Sequence, residues 1–100
     1  MNRGDEGVGI AKTLKVIEEL KLKVIQSMAD IYTAIHNGAE NQIQQKAAKI
    51  IVYMYSLNKN SGYSYRSLDK EVVKQAEIMK QEEKEEYLNE LTQYLKMRGE

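Results

Sequence analysis

Two short stretches of the chain carry polar side chains spaced for joint chemistry. In the first, Asp30 lies one helical turn beyond Gln26 and Ser27. In the second, a polar residue recurs every three or four positions, at Gln42, Lys46, Lys49 and Tyr53. Residues at these spacings share one face of a helix. Lysine binds phosphate as a point charge, and a tyrosine ring can stack on a base. The candidate ligand-binding residues are Gln26, Asp30, Gln42, Lys46, Lys49 and Tyr53. One interpretation is that they bind a phosphorylated nucleotide, and the other is that they form an ordinary solvated helix face.

The apolar pattern predicts the helices that position these residues. Alternating steps of four and three, typical of one helix face, connect Ile10, Leu14, Ile17, Val24, Met28, Ile31 and Ile35. We expect a helix over 10–36 that ends at His36-Asn37-Gly38, or two helices separated near Lys21. A second helix is predicted over 39–58. Because its apolar residues form a wide arc, we expect it to be the most buried helix.

The remainder of the chain predicts one or two further helices. Residues 58–62 are turn-forming by composition, and Ser64 or Ser67 can cap the helix that follows. The pattern does not decide whether 67–97 forms one long helix or two. Residues 1–8 are polar and glycine-rich and are predicted to be a flexible tail. The prediction for 9–98 is a single helical domain.

Composition excludes several classes of function. Fifteen basic side chains balance fifteen acidic ones, so no basic surface is expected to bind nucleic acid. No apolar run approaches the roughly 20 residues that a membrane-spanning helix requires. The sequence contains no cysteine, which suits a reducing compartment. We therefore expect a cytoplasmic protein with neither nucleic acid nor a membrane as its partner.

Residues 10–75 resemble the MazG-like branch of the nucleotide pyrophosphohydrolases. The resemblance is most specific over 42–68, where a glycine turn and the segment Gly62-Tyr63-Ser64-Tyr65-Arg66-Ser67-Leu68-Asp69 lead into the next helix. It implies an all-α fold, dimers or higher oligomers, and Mg²⁺-dependent removal of pyrophosphate from nucleoside triphosphates. The family carries acids in an E-E-x-x-E pattern on one helix and in E-x-x-D on the next.

When the family pattern is aligned with this chain, only one of its acidic positions still carries an acid. The first acidic pair falls on Gln26 and Ser27, the third acid on Asp30, and the second motif on Lys46 and Lys49. Three interpretations of the lysines remain open. They form a solvated helix face, they meet phosphate directly, or the metal site lies in another register that uses Glu18 and Glu19.

The sequence therefore predicts an all-α, antiparallel bundle of three to four helices that forms a homodimer or homotetramer. The expected function is that of a catalytically inactive MazG-like protein that binds a nucleotide or nucleotide-derived signal without hydrolysis. No catalytic residue, metal ligand or cofactor is predicted under this interpretation. One alternative is an active pyrophosphohydrolase, with Mg²⁺ as its cofactor. Another is a helical protein–protein interaction module.

Overall fold

The computed structural model describes the backbone of residues 3–98 and the side chains of residues 9–98. All regular secondary structure in that range is α-helical, which confirms the predicted all-α class. The helices are α1 (Arg3–His36), α2 (Glu40–Asn60), α3 (Tyr65–Glu83) and α4 (Glu86–Arg98). The chain divides into two compact units, Met1–Tyr63 and Ser64–Glu100. Each unit is an antiparallel pair of helices and is described by itself.

In the first unit, a short turn reverses the chain between α1 and α2. Gly38 has a φ of 69°, a left-handed conformation that costs glycine little. The turn closes when the Ala39 amide donates to the carbonyl of Ala34 at 2.9 Å. The expected end at His36 is confirmed, and α1 continues without a break at Lys21. Its backbone is helical from Arg3, within the segment predicted to be a tail; whether that segment is flexible stays a prediction.

The face of α1 that packs on α2 differs from the one predicted. Leu20, Ser27 and Ala34 are the buried residues of α1, and they recur at intervals of seven. Most of the predicted inner stripe is exposed instead, including Met28 and Ile35. The physical reason is that the apolar arc of α1 is wider than one partner helix can cover. Small side chains at two of the three buried positions allow the helices to approach closely.

The prediction that α2 would be the most buried helix is wrong. None of its residues is buried. Ile43, Ala47 and Ile50 are half-buried against α1, whereas Ile51 and Val52 are 55% and 60% exposed. One neighbouring helix covers one stripe of α2 and leaves the rest of the apolar arc in solvent.

In the second unit, residues 67–97 belong to two helices, α3 and α4, and not to one long helix. Ser64 caps α3, because its Oγ accepts the Ser67 amide at 3.0 Å. The break falls at Lys84, which has a φ of 54°. Glutamates flank it as Glu82, Glu83, Glu85 and Glu86. Like charges three and four residues apart destabilise a continuous helix, which explains why the chain interrupts the helix here.

A small core joins α3 to α4. Its buried residues are Ala76, Leu88, Thr92 and Leu95. The Thr92 hydroxyl donates to the Leu88 carbonyl at 2.6 Å, which satisfies a buried polar group inside its own helix. In the described range, the helices lack the combination of length and apolar character needed to cross a membrane.

Candidate functional site

A contact between Lys23 and Tyr53 sets the register of α1 against α2. The Lys23 Nζ lies 5.9 Å from the centroid of the Tyr53 ring, within the range of a cation–π interaction. Because the helices are antiparallel, seven residues towards the turn from each of these positions lead to Asp30 and Lys46. The predicted stripes on α1 and α2 therefore lie at the same level along the hairpin and on the same side.

On α1, the candidate residues separate into exposed and buried positions. The Gln26 amide Nε2 donates to Asp30 Oδ1 at 3.0 Å, so one carboxylate oxygen already has a partner. Gln26 is exposed and Asp30 is half-buried. Ser27 is 6% exposed, within the face of α1 that packs on α2. The position to which the resemblance assigns the second acid is thus part of the helix contact.

On α2, the remaining candidates follow the edge of the α1 contact. Lys46 and Tyr53 are half-buried, while Gln42 and Lys49 are exposed. The ion pairs of the described residues involve Lys21 with Glu18 and Lys96 with Glu77. Among the described residues, no carboxylate oxygen lies within 4.0 Å of the ammonium nitrogen of Lys46 or Lys49. Both ammonium groups are therefore available to an anionic ligand.

Lys23 lies on the same side of the hairpin as the candidate residues, and the sequence prediction did not include it. It adds a third ammonium group to the side that carries Lys46 and Lys49, whereas Asp30 is the single carboxylate among the candidate residues. The stripe consequently has a surplus of positive charge. Its spacing could have revealed it, because Lys23 lies three residues before Gln26 and seven before Asp30, on the same helix face. The contact of Lys23 with Tyr53 joins two helices and therefore cannot be predicted from spacing within one helix.

The described residues offer no cluster of three histidine, cysteine, aspartate or glutamate side chains that could hold a metal ion. Glu18, the first residue of the alternative register, forms an ion pair with Lys21 at 3.0 Å. Glu19 is exposed. Together with Lys46 and Lys49 on α2, this donor set does not fit Mg²⁺, which prefers oxygen ligands with negative charge.

The opposite side of the hairpin is largely apolar and is interrupted by the exposed ion pair of Lys21 with Glu18. Viewed down the axis of α1, the residues that face α2 have the polar residues Lys23, Gln26 and Asp30 on one side. A stripe of apolar residues lies on the other side. That apolar stripe is exposed by 58–75%, and it comprises Ile10, Leu14, Ile25, Met28, Tyr32 and Ile35. On α2, Ile51 and Met54 are exposed on the corresponding side. We call these eight residues the apolar face. The first unit thus has one polar side and one largely apolar side.

One of three comparisons with known proteins gave a match. A family model described as the MazG-like family matches residues 10–91, a longer range than the 10–75 over which the sequence resembles that family. Comparisons with curated proteins and with solved structures gave no significant match. The family match covers most of the chain, including most of α1 and all of α2 and α3. The chain therefore belongs to the MazG-like family.

Proposed function

We propose that this protein is a catalytically inactive member of its family that binds a phosphorylated nucleotide without hydrolysing it. The observation that carries the proposal is the polar stripe, which consists of Lys23, Gln26, Asp30, Gln42, Lys46, Lys49 and Tyr53. On the correspondence with the family pattern, Lys46 and Lys49 occupy acid positions of a metal-dependent pyrophosphohydrolase, and Lys23 adds a third ammonium group to the same side of the hairpin. The proposal includes the cytoplasmic location expected from composition.

The chemistry of the stripe suits phosphate better than a divalent cation. Ammonium groups repel Mg²⁺ but attract the phosphate oxygens that Mg²⁺ would otherwise bridge. Asp30 is the only carboxylate of the stripe, and the Gln26 amide already donates to it. On the correspondence with the family pattern, the positions of the other acids hold Gln26, Ser27, Lys46 and Lys49. Phosphate would therefore meet the lysines directly, with no metal between them.

The other stripe residues supply contacts for the rest of a nucleotide. The amides of Gln26 and Gln42 can donate to and accept from a base edge. Tyr53 presents an aromatic ring that is half-buried beside Lys23. A base stacked on that ring would lie next to the ammonium groups that hold its phosphates.

The test is calorimetry with mono-, di-, tri- and cyclic nucleotides in EDTA, on the wild type and a charge-reversed variant. Lys46→Glu combined with Lys49→Asp should abolish binding, because both phosphate contacts become repulsive. The matched control is Lys12→Glu with Lys15→Asp. These exposed lysines have the same spacing, and Lys12 lies about 27 Å from Asp30 along α1, at 1.5 Å per residue. Equal loss of binding in both variants would contradict a specific site.

A second proposal concerns assembly. We infer that the apolar face is covered by a second copy of the chain, giving a homodimer or homotetramer. Monomeric proteins rarely expose contiguous apolar patches larger than a few hundred Å². Two hairpins that meet through this face would form a four-helix arrangement, with an isologous interface in the case of a dimer. The polar stripes would remain on the outside, accessible to ligand.

The exposed apolar face also favours the alternative of a helical interaction module. Under that alternative a different protein covers the face, and the polar stripe has no ligand. Calorimetry separates the two functions, because a pure interaction module gives no heat with any nucleotide. The third function, an active pyrophosphohydrolase, requires pyrophosphate release with Mg²⁺ or Mn²⁺.

A further inference from the structure

The second unit contains a groove with a concentrated positive charge. It encloses about 750 Å³ between the beginning of α3 and the end of α4. Its charged lining consists of Arg66, Asp69, Lys70, Lys96 and Arg98. Four cations therefore surround one carboxylate in a chain whose net charge is zero. We call this region the basic groove.

The cations of the basic groove are only partly compensated by the described side chains. Lys96 forms an ion pair with Glu77. Arg98 lies over the ring of Tyr94, with 5.9 Å between its Cζ and the ring centroid, a contact that leaves its charge in place. Arg66 and Lys70 are exposed on one face of α3. The groove thus retains positive charge that an anionic partner could neutralise.

The compensating negative charge lies at the other end of the same unit. Residues 82–86, which we call the acidic turn, carry four glutamates and one lysine, and all five are exposed. None of the four glutamates takes part in an ion pair of the described residues. The net charge of the acidic turn balances that of the groove lining.

The two regions are too far apart to neutralise each other within one unit. The closest pair along either helix is Lys96 and Glu86, ten residues apart on α4. Ten residues span about 15 Å of helix, whereas the Debye length is about 8 Å at physiological ionic strength. The antiparallel pair α3–α4 is therefore positively charged at one end and negatively charged at the other.

We propose that the acidic turn of one copy binds in the basic groove of a second copy. The contact is heterologous, because it joins different surfaces on the two partners, so repetition gives a ring or an open chain. It is separate from the nucleotide site and from the apolar face, both of which lie in the first unit. Since the contacting charges are exposed, the association should be weak and strongly dependent on salt.

Sedimentation velocity at about 20 mM and about 500 mM salt tests this contact, since the two conditions span the Debye screening range. The wild-type association constant should rise at least tenfold at low salt. Arg66→Gln with Lys70→Gln removes two of the four groove cations, and Glu82→Gln with Glu83→Gln removes two of the four glutamates of the acidic turn. Each variant alone should lose the salt-dependent association. A one-to-one mixture should regain it, because each variant retains the half that the other lacks.

The matched control, Lys12→Gln with Lys74→Gln, removes two exposed lysines outside the groove and should behave as the wild type. The proposal is overturned if low salt does not promote association, if the variants associate as the wild type does, or if the mixture gains nothing. It is also overturned if inorganic tripolyphosphate binds the groove while no salt-dependent self-association occurs, since the occupant is then a small anion. Association through the apolar face is not weakened by salt, so the two interfaces are measured separately.

Discussion

Truncation of Ile25 to alanine tests whether a second copy covers the apolar face. Ile25 is 62% exposed, so most of its side chain is free to be buried by a partner. Removing three carbons costs about 2.4 kcal/mol when they are fully buried, at about 0.8 kcal/mol per group. Because only the exposed part of Ile25 can be newly buried by a partner, the truncation should reduce the free energy of association by about 1.5 kcal/mol per side chain.

A symmetric dimer contains this side chain twice, so the expected loss is about 3 kcal/mol, again from the area-based scale. At about 1.4 kcal/mol per tenfold change, the dissociation constant should rise roughly 100-fold. Alanine is the better helix former, so α1 itself should not be weakened. Circular dichroism at a concentration where both proteins are assembled checks that the helix content is unchanged.

The assay is sedimentation equilibrium over a dilution series at high salt. Met97→Ala is the control, because Met97 is 74% exposed, belongs to the second unit and is not one of the eight residues of the apolar face. That variant should keep the wild-type dissociation constant. A change of less than threefold for Ile25→Ala, or a wild type that is monomeric at micromolar concentration, would refute the reasoning.

Three further predictions follow from local features. The hydrogen bond that Glu77 accepts from Lys96 lowers the pKa of the Glu77 carboxyl below its ordinary value of 4.5. Its stabilisation is therefore present above that value and lost as the pH falls through the lowered pKa, so Glu77→Gln should reduce the Tm at neutral pH but not in strong acid. Ser64→Ala removes the cap that accepts the Ser67 amide and should cost about 1 kcal/mol in chemical denaturation. Wild type and Asp30→Asn should both release no pyrophosphate from nucleoside triphosphates with Mg²⁺ or Mn²⁺, and turnover that Asp30→Asn abolishes would instead indicate an active enzyme.

Helix positions were largely predictable because their signals are local. The stop at His36 and the cap at Ser64 depend on residues within one turn, and both are observed. The division of 67–97 was not predictable, because it depends on how far a run of like charges destabilises α3. Lys84 in a left-handed conformation is the result of that balance.

The packing faces were harder to predict, because they depend on neighbours that local spacing does not specify. The apolar arc of α1 contains two stripes. The sequence pattern emphasised the one with Met28 and Ile35, whereas α2 covers the one with Leu20 and Ala34. The same limit applies to the site. The candidate residues were chosen by spacing, which could also have included Lys23, but the contact of Lys23 with Tyr53 depends on the register between α1 and α2.

The central claim is that the polar stripe binds phosphate without a metal and without turnover. Calorimetry of the wild type with nucleoside mono-, di- and triphosphates, in EDTA and then in Mg²⁺, tests it most directly. We predict heat in EDTA for at least one nucleotide, an affinity that does not increase with Mg²⁺, and no product when the cell contents are analysed afterwards. Binding that requires Mg²⁺, hydrolysis of the ligand, or no binding across the panel would contradict the account.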